Sequence, residues 1–538
     1  MKRKIIILVC LLAVSAGITV SAAKIKEVSK ADTADEENAA GKTEEISNQI
    51  KETYSVSNQA EIAQELEKKK SAGTYTAGNM LTVYNLFGTN TQSMYVYFTT
   101  AEAVSVSYTI HVEDESIGDF SRSVYQDESY EKEHEFQLIG LVPDMINEIT
   151  FTLTREDGTV TTEEMSYEMG SLLGTEKVQL DITAEGDAEK LEDGLYVVLG
   201  NDSSGLDFMY YYDNEGVLRG EVPILGYRSH RIIFDEDSMY YSISETKMAR
   251  VNRLGQVVNV YNLEGYELHH DYVFDDDGNI LILASDETQD SVEDIVVRLD
   301  VDSGEIAEVL DLEDLFGSYK EECTYSDDGE LDWMHINTIQ WMGEDSVLLS
   351  SRETSSVIKV ENLYEAPEVS YIIGSVSFWE GTEYEEFVLE QDGDFTVQGG
   401  QHSVTYVEDD SLKDGQYYLY MYNNNIGLSK SNPDYDWSSV GLVEDSAKGG
   451  ESSYYYEYLV DEEAGTFELA DSFSVPYSGY VSSAQNLMQN TVIDCGMQGV
   501  FAEYDEDHDL IASYEMEVET FIYRVYKYRF EGFYFRAE

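Results

Sequence analysis

Apolar and polar residues alternate along most of the chain from residue 74 onward. Segments 94–98, 104–108 and 149–153 are rich in β-branched and aromatic residues, and several of them alternate with a period of two. Such alternation predicts strands that bury one face. Asp157 and Gly158 follow one of these runs and predict a hairpin turn. The pattern therefore predicts a small β-sandwich over residues 74–177.

A degenerate repeat of strand, acidic or polar turn and strand occupies residues 178–538. An early unit spans 195–222, and five later units have clear openings at intervals of 40 to 80 residues. Those five begin at His230, His270, His335, His402 and Ser482. Six such units, with an apolar period of two rather than 3.6, predict a six-bladed β-propeller that carries long insertions. The predicted fold class is all-β.

The N-terminus has the pattern of a secretory signal. Three basic residues at 2–4 precede an apolar run over 5–20 and the small residues at 21–23. Residues 1–23 are therefore predicted to be a signal peptide, with a retained membrane anchor as the alternative. The exported protein is expected outside the cell or on its surface, or in the periplasm if the source has an outer membrane. Residues 24–73 are predicted to form an acidic spacer that is partly helical or disordered.

Charge changes the list of partners. The chain has 33 Lys and Arg against 107 Asp and Glu, a formal net charge of −74. This excludes a nucleic-acid partner and an anionic membrane surface, both of which require clustered cations. Small molecules remain as partners, and a homodimer is left open. Cys323 and Cys495 are 172 positions apart, which predicts two separate thiols rather than a disulfide framework or a metal motif.

The histidines carry the candidate chemistry. Four of the eight, His230, His270, His335 and His402, open successive repeat units. The first strand of each propeller blade lines the central channel, so these four side chains are expected to meet around its mouth. Asn337 lies two positions after His335, and Arg352 ends the next strand, so both join the group.

Two kinds of chemistry fit four histidines, one arginine and one asparagine. A divalent metal is one, but no carboxylate stands at the same repeat position. The other is an anion pocket with a nucleophile, in which a neutral imidazole attacks while imidazolium and guanidinium groups stabilise oxyanions. The second interpretation is favoured, so no metal and no cofactor are expected.

A set of spaced motifs resembles the bacterial aryl-sulfate sulfotransferase family. The region from residue 74 to about residue 170, including the 140–144 stretch, looks like the N-terminal sandwich of that family, so the resemblance covers nearly the whole exported chain. The motifs in the repeat region are His270-Asp271, Asp332-Trp333-Met334-His335-Ile336-Asn337, Ser350-Ser351-Arg352, Gly400-Gln401-His402, the 419–424 strand with its Asn-rich end, and Tyr523-Arg524-Val525-Tyr526.

The resemblance implies transfer of a sulfuryl group from an aryl sulfate donor to a phenolic acceptor, by a ping-pong mechanism without a nucleotide donor. His402 would be the nucleophile that becomes sulfated. His335, His270 and Arg352 would complete the catalytic set, and Asn337, His270 and His335 would bind substrate. Two features depart from the family: Glu353 follows Arg352 and is expected to weaken the local positive field, and the segment before His402 lacks the cysteine pair of some relatives.

Two other functions remain open from the sequence. A non-catalytic surface propeller would bind ligands or partners without turning over aryl sulfates. An aryl sulfate hydrolase would use water as the acceptor in place of a phenol.

Overall fold

The computed structural model describes residues 42–200, 206–327, 329–442 and 450–537. The chain divides into two compact units, Met1–Glu52 and Thr53–Glu538. In the first unit the described residues, 42–52, are helical. The predicted signal segment and residues 24–41 of the predicted spacer lie outside the described residues. No helix in the described ranges is both long and apolar enough to cross a membrane.

The second unit begins with the helix Val56–Ala72, in the later part of the predicted spacer. The Ser55 hydroxyl accepts a hydrogen bond from the Asn58 N–H, which caps the first turn. On the buried face, the Gln59 amide donates to the Phe87 carbonyl at 2.9 Å. The helix is thus fastened to the sandwich that follows it.

The sandwich is organised around one long strand, Ser93–His111. Its first half pairs with Leu81–Tyr84 and Glu131–Ile139, and its second half pairs with the remaining neighbours. Those neighbours are Phe120–Ser123 and Ile146–Arg155, the latter continuing through a hairpin to Val160–Glu168. The two halves face each other, since rings such as Phe136 and Phe151 approach to 6.4 Å. Alternate residues are buried in the second half of the long strand and in Ile146–Arg155, as the period of two predicts, whereas the first half of the long strand is buried almost throughout.

In the described residues six sheets of four or five strands follow, antiparallel except that Glu390–Asp392 pairs in parallel with Thr466–Val475. Inner strands of neighbouring blades contact one another, as Tyr266–Phe274 does with Ile336–Gly343. The predicted six-bladed propeller after a small β-sandwich is confirmed. The strands of each blade are given from the inner to the outer edge. Blades 1 to 3 have four strands each: blade 1 is Val525–Tyr528, Leu195–Val198, Phe208–Tyr212 and Leu218–Pro223; blade 2 is Ile233–Asp235, Ser238–Ser244, Lys247–Asn252 and Val257–Asn262; blade 3 is Tyr266–Phe274, Ile280–Asp286, Ile295–Leu299 and Ile306–Asp311. Blade 4 has the four strands Ile336–Gly343, Ser346–Ser351, Ser356–Glu361 and Glu368–Ile373, and the last two blades have five: blade 5 is His402–Val407, Gln416–Asn423, Ser453–Asp461, Thr466–Val475 and Glu390–Asp392; blade 6 is Ser483–Asn486, Thr491–Cys495, Val500–Tyr504, Leu510–Glu515 and Asp181–Glu185.

Insertions explain the uneven repeat intervals. The helix Leu312–Lys320 precedes blade 4, and the helix Val376–Trp379 with the 3₁₀ turn Glu385–Phe387 precedes blade 5. Their aromatic side chains pack together with Trp333 against blade 4, which buries each insertion on the ring rather than leaving it as a loose loop. Three further 3₁₀ turns are Ala188–Lys190, Trp437–Val440 and Gly496–Gln498.

The ring is closed twice. The strand Val525–Tyr528 supplies the inner edge of blade 1, and Asp181–Glu185 supplies the outer edge of blade 6. Lys527 on the closing strand lies 2.7 Å from the carboxylate of Glu503 in blade 6, and both side chains are buried. Since breaking a buried ion pair costs about 3–5 kcal/mol, this contact stabilises the junction between blade 1 and blade 6. Within the described residues Cys323 and Cys495 are separate free thiols; Cys495 is buried, as expected of both thiols from the sequence, whereas Cys323 is only half-buried.

Candidate active site

Three of the predicted histidines lie at or next to a register irregularity of an inner strand. His270 and His335 have positive φ angles of 53° and 48°, and Ser403, directly after His402, has 58°. At these points the pairing with the next strand skips residues. A bulge of this kind turns a side chain out of the regular alternation of the strand. Here the three bulges aim their histidines into one cavity.

The cavity has a volume of about 410 Å³, which is within the range of small-molecule sites. Besides the three histidines, its polar wall contains Glu293 and Arg352. The cavity also has an aromatic wall, formed by Tyr227, Tyr480, Phe521 and Tyr523. The cavity therefore offers groups that suit an anion and groups that suit an aromatic ring.

His402 is held as a neutral ring with a known tautomer. The Asn424 amide nitrogen donates to the carbonyls of Ser478 and Val481, at 2.7 and 3.0 Å. The Asn424 Oδ1 must then face His402, whose Nδ1 lies 2.8 Å away and donates to it. Burial lowers the pKa of His402 to about 3. At neutral pH the Nε2 lone pair is therefore available on the cavity side of a ring that is 3% exposed.

His335 has the opposite environment. Its Nδ1 lies 2.9 Å from an Asp332 oxygen and 2.5 Å from a Glu293 oxygen. Burial and the charge of Arg352 lower the pKa of His335, but the two carboxylates outweigh them and raise it to about 9. In return, the histidine holds the pKa of both carboxyl groups below their usual values. His335 is therefore an imidazolium at neutral pH.

Arg352 completes the polar wall. Its Nη1 lies 3.1 Å from the His335 Nε2, and its Nη2 lies 3.2 Å from Asp332. The first contact is a hydrogen bond only while the His335 Nε2 carries no proton, because two donors cannot bond to each other. With His335 protonated, an anion placed between the two cations would relieve this repulsion. The arrangement is suited to the oxygens of a sulfuryl group.

Glu353 lies behind Arg352 and is 1% exposed. One carboxylate oxygen pairs with the Arg352 guanidinium. The other accepts hydrogen bonds from the Ser429 hydroxyl at 2.9 Å and from the Lys430 N–H at 2.6 Å. Glu353 thus orients Arg352 and holds the loop that brings Lys430 to the cavity. Whether it also weakens the local field, as expected from the sequence, stays a prediction.

His270 lies beside His335, with ring centroids 4.7 Å apart. Its Nδ1 is 3.1 Å from the His269 Nδ1 and 3.6 Å from a Glu293 oxygen. Burial and the charges of the two neighbouring histidines hold its pKa well below the usual range. Its backbone carbonyl accepts a hydrogen bond from the Tyr523 hydroxyl at 2.9 Å. His270 is therefore a neutral polar group next to a cationic one.

Asn337 is fully buried and does not line the cavity. Its amide donates to the Gln401 carbonyl at 2.7 Å. Gln401 directly precedes His402, so Asn337 contacts the strand that carries the predicted nucleophile. Its predicted role in substrate binding stays a prediction.

His230 does not reach the cavity. The prediction that all four histidines at the openings of repeat units meet there is therefore wrong for this residue. It is 1% exposed, lies between the rings of Tyr227 and Tyr523, and contacts the Ser242 hydroxyl at 3.2 Å. In this unit the residue with positive φ is Tyr227, at 61°, and not the histidine. The left-handed residue therefore sends the tyrosine into the cavity and leaves the histidine behind it.

Sequence reasoning missed several residues of the site. Asp332 stands three positions before His335 and Asn424 belongs to a run of asparagines, so both carried a local signal. Tyr523 stood in one of the family motifs but had no role assigned to it, and Glu293 and Arg228 carried no signal. Contacts between positions far apart in the chain bring such residues to the site. The Tyr523 contact with His270, for example, spans 253 positions.

Two overlapping groups could supply metal ligands: His269, His270 and Glu293, and Glu293, Asp332 and His335. Ligands of a tetrahedral metal lie roughly 3.3 Å apart. The His335 Nδ1 is closer than that to both of its carboxylate partners, at 2.5 and 2.9 Å. The contact with Asp332 is a hydrogen bond and the one with Glu293 is an ion pair, so a divalent ion would require the groups to separate. The expectation that the site needs no metal stays a prediction.

Comparison with protein families gives two matches. The family described as Arylsulfotransferase (ASST) matches residues 181–529, and the Arylsulfotransferase Ig-like domain matches residues 81–170. The first match alone spans well over half of the chain. The chain belongs to the arylsulfotransferase family. This is a transferase family whose substrates are aryl sulfates and phenols, so the family resemblance seen in the motifs is confirmed.

Other comparisons add little to the family match. No curated protein is significantly similar in sequence to this arylsulfotransferase chain. Among solved structures, BamB from Moraxella catarrhalis is 11% identical, with 64% of this chain and 90% of that chain covered and a TM-score of 0.31. Dihydro-heme d1 dehydrogenase NirN in complex with DHE is 12% identical, with 64% and 78% covered and a TM-score of 0.32. Likeness at this level carries no argument about function.

Proposed function

We propose that this protein transfers a sulfuryl group from an aryl sulfate to a phenol through a sulfated His402, without a nucleotide donor. The observation that carries the proposal is the neutral His402 whose Nδ1 is tied to Asn424. A histidine in this state presents a nucleophilic Nε2 throughout the near-neutral pH range.

In the first half-reaction the His402 Nε2 attacks the sulfur, and the bond between sulfur and the aryl oxygen breaks. The phenolate takes the proton from His335, whose raised pKa keeps it protonated as a general acid. The products are a phenol and a sulfated His402, and His335 is left neutral.

In the second half-reaction the acceptor phenol gives its proton to neutral His335 while its oxygen attacks the sulfur. The bond between sulfur and the His402 Nε2 breaks, and the histidine returns to its neutral form. Arg352, 3.1 Å from His335, is positioned to stabilise charge on the sulfuryl oxygens in both steps. His270 is proposed to bind substrate beside the aryl oxygen. Asn337, which does not line the cavity, is proposed instead to position the strand of His402 through its contact with Gln401.

The test is His402→Ala, assayed with 4-nitrophenyl sulfate as donor and a phenol as acceptor. We expect turnover to fall by at least about a thousandfold, since the covalent route is lost. Near-wild-type turnover would contradict the proposal. The ratio of acceptor sulfate to inorganic sulfate separates transfer from hydrolysis, and no turnover of any aryl sulfate by the wild type would favour a binding propeller.

We also propose that the chain is exported after cleavage near Ala22 or Ala23. The basic, apolar and small-residue segments at residues 1–23 support this. N-terminal sequencing of the protein purified from its source would begin at residue 23 or 24. An intact Met1 in a cytoplasmic fraction would exclude it.

A further inference from the structure

Two neighbouring histidines of blade 3 bring their Nδ1 atoms together, which a regular strand does not allow. Consecutive side chains of a strand lie on opposite faces of the sheet. His270, however, has a φ of 53°, and the pairing with the next strand skips residues between Leu268 and Tyr272. This bulge places the Nδ1 atoms of His269 and His270 3.1 Å apart.

A carboxylate from the same blade completes the group. Glu293 lies between the second and third strands of blade 3 and has a positive φ of 59°. Its N–H donates to the Ser285 hydroxyl at 2.9 Å, which ties the loop to the blade. Its Oε1 lies 3.6 Å from the His270 Nδ1, while its Oε2 pairs with His335. The two histidines and Glu293 each offer a ligand atom within 4.8 Å of the others.

The spacing of this group fits a tetrahedral metal ion. Donor atoms of a tetrahedral site lie roughly 3.3 Å apart, and the His270 Nδ1 lies 3.1 and 3.6 Å from its two neighbours. Two imidazoles and one carboxylate with an open fourth position are a ligand set that suits Zn²⁺, whereas Mg²⁺ and Ca²⁺ prefer oxygen ligands alone. His270 and Glu293 line the cavity, so an ion can reach them from it.

Binding of an ion here requires one proton to change its place. The contact between the two Nδ1 atoms is a hydrogen bond in which one ring donates and the other accepts. An ion that takes both lone pairs requires the donating ring to carry its proton on Nε2 instead. Both rings stay neutral, and no proton leaves the protein.

We infer that His269, His270 and Glu293 bind Zn²⁺, and that the bound ion inhibits sulfuryl transfer. The site stands on the geometry above, whereas the inhibition rests on the proposed function. The ion engages the histidine that is proposed to lie beside the aryl oxygen and the carboxylate that pairs with His335. It is therefore an inhibitory ligand and not a cofactor of the reaction.

The first experiment measures binding in the absence of any substrate. Protein without a polyhistidine tag is freed of metal by dialysis against EDTA and titrated with Zn²⁺ by calorimetry. We expect one tight equivalent per chain, which Mg²⁺ does not displace, and Co²⁺ in its place should show the visible absorption of a tetrahedral site. His269→Leu should weaken the binding by about a hundredfold or more, since losing even an outer partner of a metal ligand costs about 10- to 100-fold.

His111→Leu is the matched control. His111 is exposed and its Nδ1 lies 2.7 Å from Asp119, so the same substitution removes another histidine–carboxylate pair. This variant should keep the tight equivalent. Asp332→Asn tests the overlapping group at His335 and should also keep it. Should His269→Leu lower Tm enough to unfold the protein, His269→Gln gives the same comparison, because an amide is a poorer ligand for Zn²⁺ than an imidazole.

The second experiment measures transfer from 4-nitrophenyl sulfate to a phenol, and each protein is compared with itself with and without Zn²⁺. At a concentration that saturates the wild type, the ion should lower its rate by about tenfold or more, and EDTA should restore it. His111→Leu should be inhibited to the same extent. His269→Leu, which does not hold the ion at this concentration, should keep its own rate.

Three results would overturn the inference. One is a wild type without a tight equivalent of Zn²⁺. Another is an equivalent that survives in His269→Leu or is lost in Asp332→Asn, and the third is bound Zn²⁺ that leaves transfer unchanged. None of these concerns transfer in the absence of the ion, so the proposed function stands. A wild type that binds Zn²⁺ through His269 but turns over no aryl sulfate confirms the metal site and overturns the proposed function.

Discussion

The start of blade 5 and the start of blade 4 place the same side chain, at the same point of the repeat, in opposite electrostatic surroundings. His402 in blade 5 has an amide oxygen and a backbone carbonyl at its Nδ1. His335 in blade 4 has two carboxylates at its Nδ1. The pKa of the first is lowered to about 3 and that of the second is raised to about 9.

This difference shows that the repeat brings the histidines together, whereas the side chains that contact each ring determine its protonation state and hence its proposed role. Burial alone would keep both rings neutral. Asp332 and Glu293 reverse that outcome at one ring, and Asn424 preserves it at the other while fixing the tautomer. Two rings of one residue type thereby become a nucleophile and an acid.

Among changes to the neighbours of the two histidines, the largest effect is expected from Asn424→Leu, which removes the side-chain acceptor for the His402 Nδ1–H. The ring is then no longer held with its Nε2 lone pair toward the substrate, so kcat should fall by about a hundredfold or more. The measurement is steady-state transfer from 4-nitrophenyl sulfate, with Tm as the check on folding.

Asn424→Asp is the matched variant at this position. It keeps an acceptor oxygen but adds a negative charge that raises the pKa of His402. The acid limb of kcat/KM should therefore move up in pH, while activity above that limb exceeds that of Asn424→Leu. Equal kcat in Asn424→Leu and the wild type would show that the tautomer is not what activates His402.

A middle-sized effect is expected from Asp332→Asn. His335 is protonated below its pKa of about 9, so the rate with phenyl sulfate should be steady up to that pH and fall above it. Removing one of the two carboxylates lowers that pKa, which should move the alkaline limb down by about one unit. The measurement is kcat/KM against pH.

The internal control for this prediction is the donor. 4-Nitrophenolate is a good leaving group that needs little protonation, so the limb should be shallow with 4-nitrophenyl sulfate and steep with phenyl sulfate. Glu293→Gln should move the limb in the same direction as Asp332→Asn. An alkaline limb that neither substitution moves would break the assignment of His335 as the acid.

The smallest effect is expected from His230→Gln. His230 shares the repeat phase but lies behind Tyr227 and Tyr523, so kcat should stay within about threefold of the wild type. His270→Gln, at a position that does line the cavity, should lower kcat/KM by about tenfold or more. Equal losses of kcat/KM in the two variants would show that the position at the opening of a repeat unit, rather than access to the cavity, decides function.

Much of the architecture could be predicted because local patterns in the amino-acid sequence determine it. Period-two alternation and acidic turns such as Asp275 to Gly278 predict the strand pairs of each blade, and the repeat predicts their number. The closure of the ring could not be predicted in the same way. The strand Val525–Tyr528 pairs with Leu195–Val198, and no local signal reports which strand a chain segment will meet more than three hundred residues away.

The site was accessible from sequence only where repeat phase and motif coincided. His270, His335 and His402 satisfied both conditions and lie in the cavity. His230 opens a repeat unit but belongs to none of the family motifs, and it does not lie in the cavity. The difference is one of backbone conformation, since a positive φ at His270 or at Tyr227 decides which side chain turns inward. Glu293 acts on His335 through a contact between blades that spacing cannot reveal. Asn424 belongs to a recognisable run of asparagines, but the run does not show that its side chain bonds to His402.

The double closure of the ring has a consequence for the order in which the protein is made. Tyr523, which forms part of the aromatic wall, is synthesised after five blades are already available to fold. Until residues 523–528 emerge, blade 1 lacks its inner strand and the cavity lacks one wall. The catalytic histidines are all present by residue 402, yet their chamber is incomplete. Activity is thus tied to completion of the ring, and a chain interrupted before this segment carries every catalytic residue without a working site.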